Sequence, residues 1–191
     1  MTAMTGTDVR AAAGESVRVL GPLTDRDWTA PAGDLEWSCW TTAAHLAHDL
    51  VAYAGQVIGR SDADYLPFDL RVRRDTPPRR VLTVVTAAAG LLGAAVDTTD
   101  LDARAWHWGP TDPGGFAAMG VAEILLHTYD ITRGLGVAWR PPADLCASVT
   151  RRLFPDAPGG EPPEVLLWLT GRDELPDHPR RTSWTWRAAL S

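Results

Sequence analysis

The spacing of apolar residues constrains the fold of this chain most strongly, because it follows a helical period over four long segments. These segments predict helices over 8–23, 39–59, 78–96 and 114–133. Long loops separate the second helix from the third and the third from the fourth. Four long helices with such connections predict a mainly all-α fold, a four-helix bundle with crossover connections.

The residues after the fourth helix have a different composition, rich in proline, glycine and tryptophan. Pro141 and Pro142 introduce a short helix that ends near Phe154, and a proline- and glycine-rich linker follows. We predict an apolar helical turn over 164–169 and a candidate terminal strand over 182–186. The chain is therefore divided into a bundle, 1–140, and a small C-terminal extension, 141–191, that packs on it.

Charge and hydropathy narrow the classes of function. The net charge of −6 at pH 7 argues against a nucleic-acid or anionic-membrane surface, since either needs a concentrated basic face. The most apolar run, 81–96, is short for a membrane span and is interpreted as a buried helix. Met1 to Gly14 has no long apolar run, so no signal peptide is expected. We expect a soluble cytoplasmic protein, monomeric or homodimeric, that binds neither nucleic acid nor membrane.

The two cysteines, Cys39 and Cys146, are far apart and fit no C-x-x-C pattern, so neither a disulfide framework nor a zinc ribbon is indicated. Cys39 is a poor candidate nucleophile, because His45 follows it on roughly the wrong face of the same helix. The sequence also has no G-x-S-x-G elbow, Walker loop or dinucleotide fingerprint.

The clearest chemical signal is a carboxylate and an imidazole four residues apart, Glu123 and His127, inside an apolar helical segment. Four residues rise by about 6 Å in a helix, so both side chains project from one face and can bind a single metal ion. A carboxylate beside an apolar face needs a partner, because an unpaired buried charge costs several kcal/mol. A metal is one such partner, and His127 or an arginine is another. A solvent-facing Glu–His pair is the alternative.

Further polar residues extend this signal. Asp130 follows His127 by three residues and could orient its ring, as carboxylates do for metal-bound imidazoles; otherwise it is a charge near the helix end. On the second helix, His45 is a candidate third ligand, with His48 and Asp49 after it at helical spacing. A lone histidine among alanines and leucines is also a common core residue. The polar stripe forms a site only if it faces the bundle interior.

Two histidines and a glutamate with an open fourth position are typical of a catalytic metal. Zinc is the expected ion, although nickel, iron and manganese use the same ligand types. Such an ion lowers the pKa of bound water toward about 7, or ionises a bound thiol. His107 is the competing ligand, but its loop position between Trp106 and Trp108 indicates a rim or substrate-contact residue.

Three segments resemble one known family: Trp37-Ser38-Cys39-Trp40 through His45-Leu46-Ala47, Gly115-Phe116-Ala117-Ala118-Met119 through Glu123, His127 and Asp130, and Leu166-Leu167-Trp168-Leu169-Thr170-Gly171-Arg172. Together they resemble the mycothiol-dependent maleylpyruvate isomerase family, within the DinB-like superfamily of metal-binding four-helix bundles. The resemblance extends from about Leu20 to Trp186. The region after the bundle is shorter here than in the isomerase.

The resemblance implies a divalent metal, typically zinc, held by His45, Glu123 and His127, and mycothiol, a low-molecular-weight thiol, as cosubstrate. It also implies that an arginine of the C-terminal part binds an acidic substrate, and Arg172 is the counterpart here. The residues expected to contact the substrate are His48, His107 and Trp108. The residues expected to support the metal ligands are Asp49 and Asp130.

Three functions follow as hypotheses. The first is a metal-dependent enzyme that activates a mycothiol-like thiol for transfer to, or isomerisation of, a small electrophilic substrate. The second is a non-catalytic, metal-stabilised protein that binds or sequesters a small apolar compound, as in resistance. The third is metal-dependent hydrolysis, with water in place of the thiol. Thiol-dependent turnover would support the first hypothesis. Tight binding without turnover would support the second, and activity without thiol would support the third.

Overall fold

The computed structural model describes residues 3–190, in which six α-helices and one small hairpin form. The helices are α1 (Gly6–Leu20), α2 (Cys39–Gly59), α3 (Pro78–Thr98), α4 (Pro113–Gly134), α5 (Ala143–Leu153) and α6 (Pro162–Leu169). A 3-10 turn, Gly21–Leu23, continues α1. The predicted all-α, DinB-like bundle is therefore confirmed.

The two helices that carry the predicted ligands both begin at a side-chain cap. The Ser38 hydroxyl accepts a hydrogen bond from the Thr41 N–H, 3.1 Å away, at the start of α2. The Asp112 carboxylate accepts one from the Gly115 N–H, 2.9 Å away, at the start of α4. These caps satisfy backbone donors that have no partner within the helix, and so they define where each helix starts.

The first four helices form a bundle in which α1 and α2 each pack against both α3 and α4. This arrangement puts α1 and α2 at opposite corners, so the α1–α2 connection crosses one end of the bundle. Apolar residues from all four helices share one core, centred on the fully buried Leu50, Leu92, Phe116 and Met119. The direct packing of α2 on α4 brings the two candidate ligand faces together.

The helix α4 is buried on nearly every side, because α5 packs on it and α6 packs on α5. Cys146 and Val149 of α5 and Leu166 of α6 belong to the same core as α4. A domain boundary near residue 140 therefore stays a prediction, with the extension sharing the core of the bundle.

The helix α3 is long and apolar enough, by length and composition, to cross a membrane, with a mean hydropathy of 1.7 over its most apolar window. Half of that window is buried inside the protein. The buried side of α3 contacts α1 and α2, as expected for a core helix of the bundle.

Two irregular regions differ from the sequence predictions. The loop before α4 contains an antiparallel hairpin of β1 (Ala105–Trp106) and β2 (Pro110–Thr111). Within the described range, 182–186 pair with no strand, so the candidate terminal strand is wrong. The tail is instead held at separate points, because the Arg187 N–H donates to the Leu153 carbonyl and the Leu190 N–H to the Pro110 carbonyl, at 2.8 and 2.9 Å.

The close approach of α1 to α3 gives a test of the packing. A Cβ at Gly6 would lie 2.2 Å from the Gly93 carbonyl oxygen, so Gly6→Ala must push the helices apart. We expect Gly6→Ala to lower the free energy of unfolding by about 1–3 kcal/mol, measured by urea denaturation.

Gly14→Ala is the matched control on the same helix, since a Cβ there meets nothing within 4 Å. It should raise the free energy of unfolding by about 0.5–1 kcal/mol, because alanine loses less backbone entropy in a helix than glycine. Equal effects of the two substitutions would contradict the packing described here.

Candidate metal centre

The imidazoles of His45, on α2, and His127, on α4, face each other with ring centroids 5.4 Å apart. The side chain of His127 is buried, and that of His45 is one-third exposed. The polar stripe of α2 therefore turns toward α4 rather than away from the bundle. The indole of Trp37 packs edge-on against the His45 imidazole, with ring centroids 4.6 Å apart.

Each imidazole has a carboxylate one helical turn away. His127 Nε2 lies 3.1 Å from Glu123 Oε2, and His45 Nε2 lies 2.9 Å from Asp49 Oδ2. His45, Asp49 and His127 form a cluster in which each residue offers one ligand atom, and these atoms lie within 4.8 Å of one another. The structure thus places Asp49, expected only to support the ligands, inside the cluster itself, while Glu123 contacts it through His127.

These donors fit a divalent metal. Zinc binds imidazole nitrogen and carboxylate oxygen at about 2.0–2.2 Å, so the ligand atoms around one tetrahedral ion lie about 3.3 Å apart. The separations of 2.9 and 3.1 Å within the two His–carboxylate pairs are close to that spacing. The side chains that could hold such an ion are the two imidazoles with either or both carboxylates.

A buried carboxylate, that of Asp130, connects His127 to the C-terminal extension. Asp130 Oδ2 lies 3.2 Å from His127 Nδ1. Arg172 grips the same carboxylate with two hydrogen bonds, Nε to Oδ1 at 2.9 Å and Nη2 to Oδ2 at 2.7 Å. Because His127 donates through Nδ1, its Nε2 turns toward the cluster. Arg172 also lines the adjoining pocket, but its guanidinium is directed at Asp130 and the Thr170 carbonyl.

Tyr53 is a site residue that sequence reasoning missed. Its buried hydroxyl donates a hydrogen bond to Glu123 Oε1, 3.2 Å away. The signal was present in the sequence, since Tyr53 follows His45 by eight residues and Asp49 by four, on the same face of α2. Tyr53 leaves the other oxygen of Glu123 facing His127.

Burial and mutual contacts shift the pKa values of the cluster. Burial opposes the charge on His127, but the hydrogen bonds that its ring donates to Asp130 and Glu123 outweigh burial and raise the pKa of His127 to about 9. Burial disfavours the charges on Glu123 and Asp130, yet the contact with His127 keeps both pKa values below the usual range. Burial raises the pKa of Asp49, with His45 opposing the change. The metal-free site therefore holds an imidazolium between two carboxylates.

The rim position predicted for His107 is wrong, because the hairpin turns its ring into the protein, where it is only 8% exposed. Burial lowers the pKa of His107 to about 4, so the ring is neutral. The Trp186 indole N–H donates to its Nε2 at 3.2 Å, which leaves Nδ1 to carry the proton and contact the Tyr65 hydroxyl. With both nitrogens engaged, His107 is unsuited to bind metal or substrate.

The other two predicted contact residues are not members of the cluster, although the His48 ring stacks on the His45 ring with centroids 6.4 Å apart. Trp108, at the hairpin turn, is 79% exposed and packs on Trp106 with ring centroids 5.0 Å apart. His48 accepts a hydrogen bond at Nδ1 from the Leu70 N–H, 3.1 Å away. It lines a neighbouring cavity of about 620 Å³ together with Asp49, Tyr53 and Tyr65.

A pocket of about 390 Å³ opens onto the cluster between the bundle and the C-terminal tail. Its lining combines the two imidazoles of the cluster with Glu123, two partly exposed tryptophans and three arginines. These residues are His45, His127, Glu123, Trp37, Trp184, Arg133, Arg172 and Arg180. Gly171 shapes this wall: its φ of +67° favours glycine, and a Cβ there would lie 2.8 Å from the Arg181 carbonyl oxygen.

Fold and site together define a DinB-like helical bundle with a histidine–carboxylate cluster able to hold a metal. The model of the mycothiol maleylpyruvate isomerase N-terminal domain matches residues 9–132. The chain belongs to the mycothiol maleylpyruvate isomerase family, as the sequence predicted. Comparisons with curated proteins and with solved structures gave no match. The matched range contains His45, Glu123 and His127, while Arg172 and the tail lie outside it.

The charge on His127 should make the stability of the metal-free protein depend on pH. Its pKa is raised from 6.5 to about 9 on folding, so its stabilising contribution is fully present below about 6.5 and is lost as pH rises through about 9. We expect the difference in unfolding free energy between wild type and His127→Gln to shrink between pH 6.5 and 9.5, measured by urea denaturation with chelator present.

The exposed His178 supplies the control for this measurement, since His178→Gln removes a histidine that is neither in the cluster nor among the residues that line its pocket. Its difference from wild type should stay flat over the same pH range. A wild-type advantage over His127→Gln that does not change with pH would show that His127 carries no raised pKa.

Proposed function

We propose that this protein is a metal-dependent enzyme that activates a low-molecular-weight thiol of the mycothiol type for transfer to, or isomerisation of, a small electrophilic substrate. The observation that carries the proposal is the pairing of His45 with His127 at the wall of an open pocket, each beside a carboxylate. Membership of the mycothiol maleylpyruvate isomerase family supports the choice of thiol and of reaction class.

The residues that would hold the metal are His45, Glu123 and His127, with Asp49 as a further ligand or a proton-accepting neighbour. Zinc suits this set of nitrogen and oxygen donors best. When bound, such an ion lowers the pKa of a coordinated thiol, so that the thiolate forms at neutral pH.

The chain's own side chains prepare the site before any ligand arrives. Asp130 holds Nδ1–H of His127 and thereby aims Nε2, and Arg172 in turn keeps Asp130 ionised and fixed. Tyr53 fixes Glu123 from the opposite side. Because these contacts already restrict the rotamers, little ordering entropy remains to be lost when a ligand binds.

The thiol must come from outside the protein. Both cysteines are buried, and burial raises the pKa of Cys39 to about 11 and that of Cys146 to about 12. Neither provides a thiolate at neutral pH. The pocket, of a volume suited to a small molecule, instead offers room beside His45 for an external thiol and its reaction partner.

Metal retention tests the ligand assignment. We expect wild type to retain about one equivalent of zinc per chain, and His45→Ala, Glu123→Ala and His127→Ala each to lose most of it, because the ion loses one of few ligands. Elemental mass spectrometry after gel filtration measures the zinc, and circular dichroism verifies the fold.

His48→Ala is the matched control, since it removes a histidine three residues from His45 whose ring bonds the Leu70 N–H instead. It should retain zinc as wild type does. Full retention in both His45→Ala and Glu123→Ala would refute the assignment. Asp49→Asn decides the place of Asp49, because loss of zinc there makes it a ligand.

Thiol binding tests the proposed chemistry. Addition of mycothiol to the cobalt-substituted protein should produce a near-ultraviolet thiolate-to-cobalt absorption band, and His45→Ala should abolish it. Turnover of electrophilic substrates should require both metal and thiol. Turnover without thiol would point to hydrolysis, and tight substrate binding without turnover would point to a binding protein.

A further inference from the structure

A groove at the N-terminal end of α3 combines apolar residues with exposed arginines. Its volume is about 610 Å³, and it lies between α3 and the segment that precedes this helix. Its lining includes the apolar residues Leu70, Val72, Pro77, Val84 and Ala87 and the arginines Arg71, Arg73 and Arg80. Within residues 3–190, Arg73 and Arg80 form no ion pair, and Arg71 lies 3.8 Å from Asp69. The groove therefore suits an apolar group that is flanked by negative charge.

This end of α3 is strongly basic, although the chain as a whole has a net charge of −6. Residues 71–80 contain five arginines and a single acidic residue, Asp75. Arg79 and Arg80 lie in the first turn of α3, which has no acidic side chain to offset them. The helix dipole is already positive there, so these charges destabilise the helix that carries them. Negative charge from outside the chain would be stabilising at this position.

The opposite end of α3 leads into a loop with complementary features. Leu101 is the most exposed large apolar residue in the described part of the chain, at 82%, and it lies between the exposed Asp100 and Asp102. Asp100 lies 3.5 Å from the exposed Arg60. The Arg104 guanidinium fixes the loop by donating to two of its carbonyls, at 3.0 and 2.7 Å. The loop thus presents an apolar side chain between two carboxylates.

The exposed side of α3 between the groove and this loop carries no charge. The sequence has no acidic or basic residue from 81 to 96. Side chains exposed there at helical spacing are Thr83, Ala87, Leu91 and Ala94. A solvent-facing helix normally carries charged residues on its outer side. The groove and the loop lie at opposite ends of a helix about 30 Å long, so they are too far apart to contact each other within one chain.

We propose that the exposed side of α3 is an interface between two copies of this chain, in which the helices pack antiparallel and the Leu101 loop of each copy enters the arginine groove of the other. Antiparallel packing brings a loop and a groove together at both ends at once, as a twofold axis requires. With the axis beside Leu91, Arg80 lies opposite the partner's Asp102, because each is eleven positions from Leu91. The interface is independent of the metal centre.

Sedimentation velocity of the full chain tests this interface. We expect wild type to dimerise with a Kd of about 1 μM or tighter, equally with and without chelator. Leu101→Ser should weaken dimerisation by about a hundredfold, because the twofold axis repeats a loss of about tenfold at each of two contacts. The far-ultraviolet circular dichroism should not change, since Leu101 is exposed within one chain.

Charge reversal tests which residues face each other. Arg80→Glu brings two acidic side chains together at each contact, and Asp102→Arg brings two arginines together, so each variant should dimerise at least about tenfold more weakly. An equimolar mixture of the two variants should recover the wild-type affinity, because both contacts then join opposite charges. Arg80→Glu should also keep its helical circular dichroism, since an acid in the first turn of α3 suits the helix dipole.

Arg151→Glu is the matched control, since Arg151 is an exposed arginine of α5 outside the groove and the loop. It should dimerise as wild type does. The interface is overturned if wild type stays monomeric at about 100 μM, if both charge-reversal variants dimerise like wild type, or if their mixture recovers no affinity. A monomeric wild type that binds phosphatidylglycerol vesicles, and loses that binding in Arg80→Glu, would assign the groove to a lipid surface and likewise overturn the dimer.

Discussion

The buried chain of charges from Glu123 through His127 and Asp130 to Arg172 is the interaction on which the site depends. Each charge in it has lost hydration, and each is stabilised only by its neighbours. The chain also joins two parts of the protein, since it begins on α4 and ends in the C-terminal extension. Removal of any one member would leave the buried charges unbalanced, so the polar face of α4 and the contact that holds the extension depend on each other.

Much of the fold could be predicted from sequence, because helical period and capping are local. The apolar period predicted all four long helices to within a few residues of their bounds in the structure. The four-residue spacing of Glu123 and His127 likewise placed them on one face. Residue spacing could not predict which way a side chain faces in the folded protein. His107 turns inward because a short hairpin forms. Asp49 enters the cluster because the face of α2 that carries it is turned toward α4.

The segment outside the matched range supplies a large part of the pocket wall. Arg172, Arg180 and Trp184 all follow residue 132, yet they line the same pocket as His45 and His127. Contacts such as Arg172 to Asp130 join residues 42 positions apart, a separation at which no periodicity in the sequence predicts a pairing. The bundle thus provides the histidine–carboxylate cluster, and the extension provides much of the pocket wall beside it.

The tail that forms this wall is fixed at both ends. Arg172 holds it to Asp130 at one end, and beyond the pocket the Trp186 indole bonds His107 while the Leu190 N–H bonds the hairpin. The segment between them is therefore a span supported at two points rather than a free arm. Changes of residue or length within such a span reshape the pocket without releasing it, so one ligand cluster can be combined with many different walls.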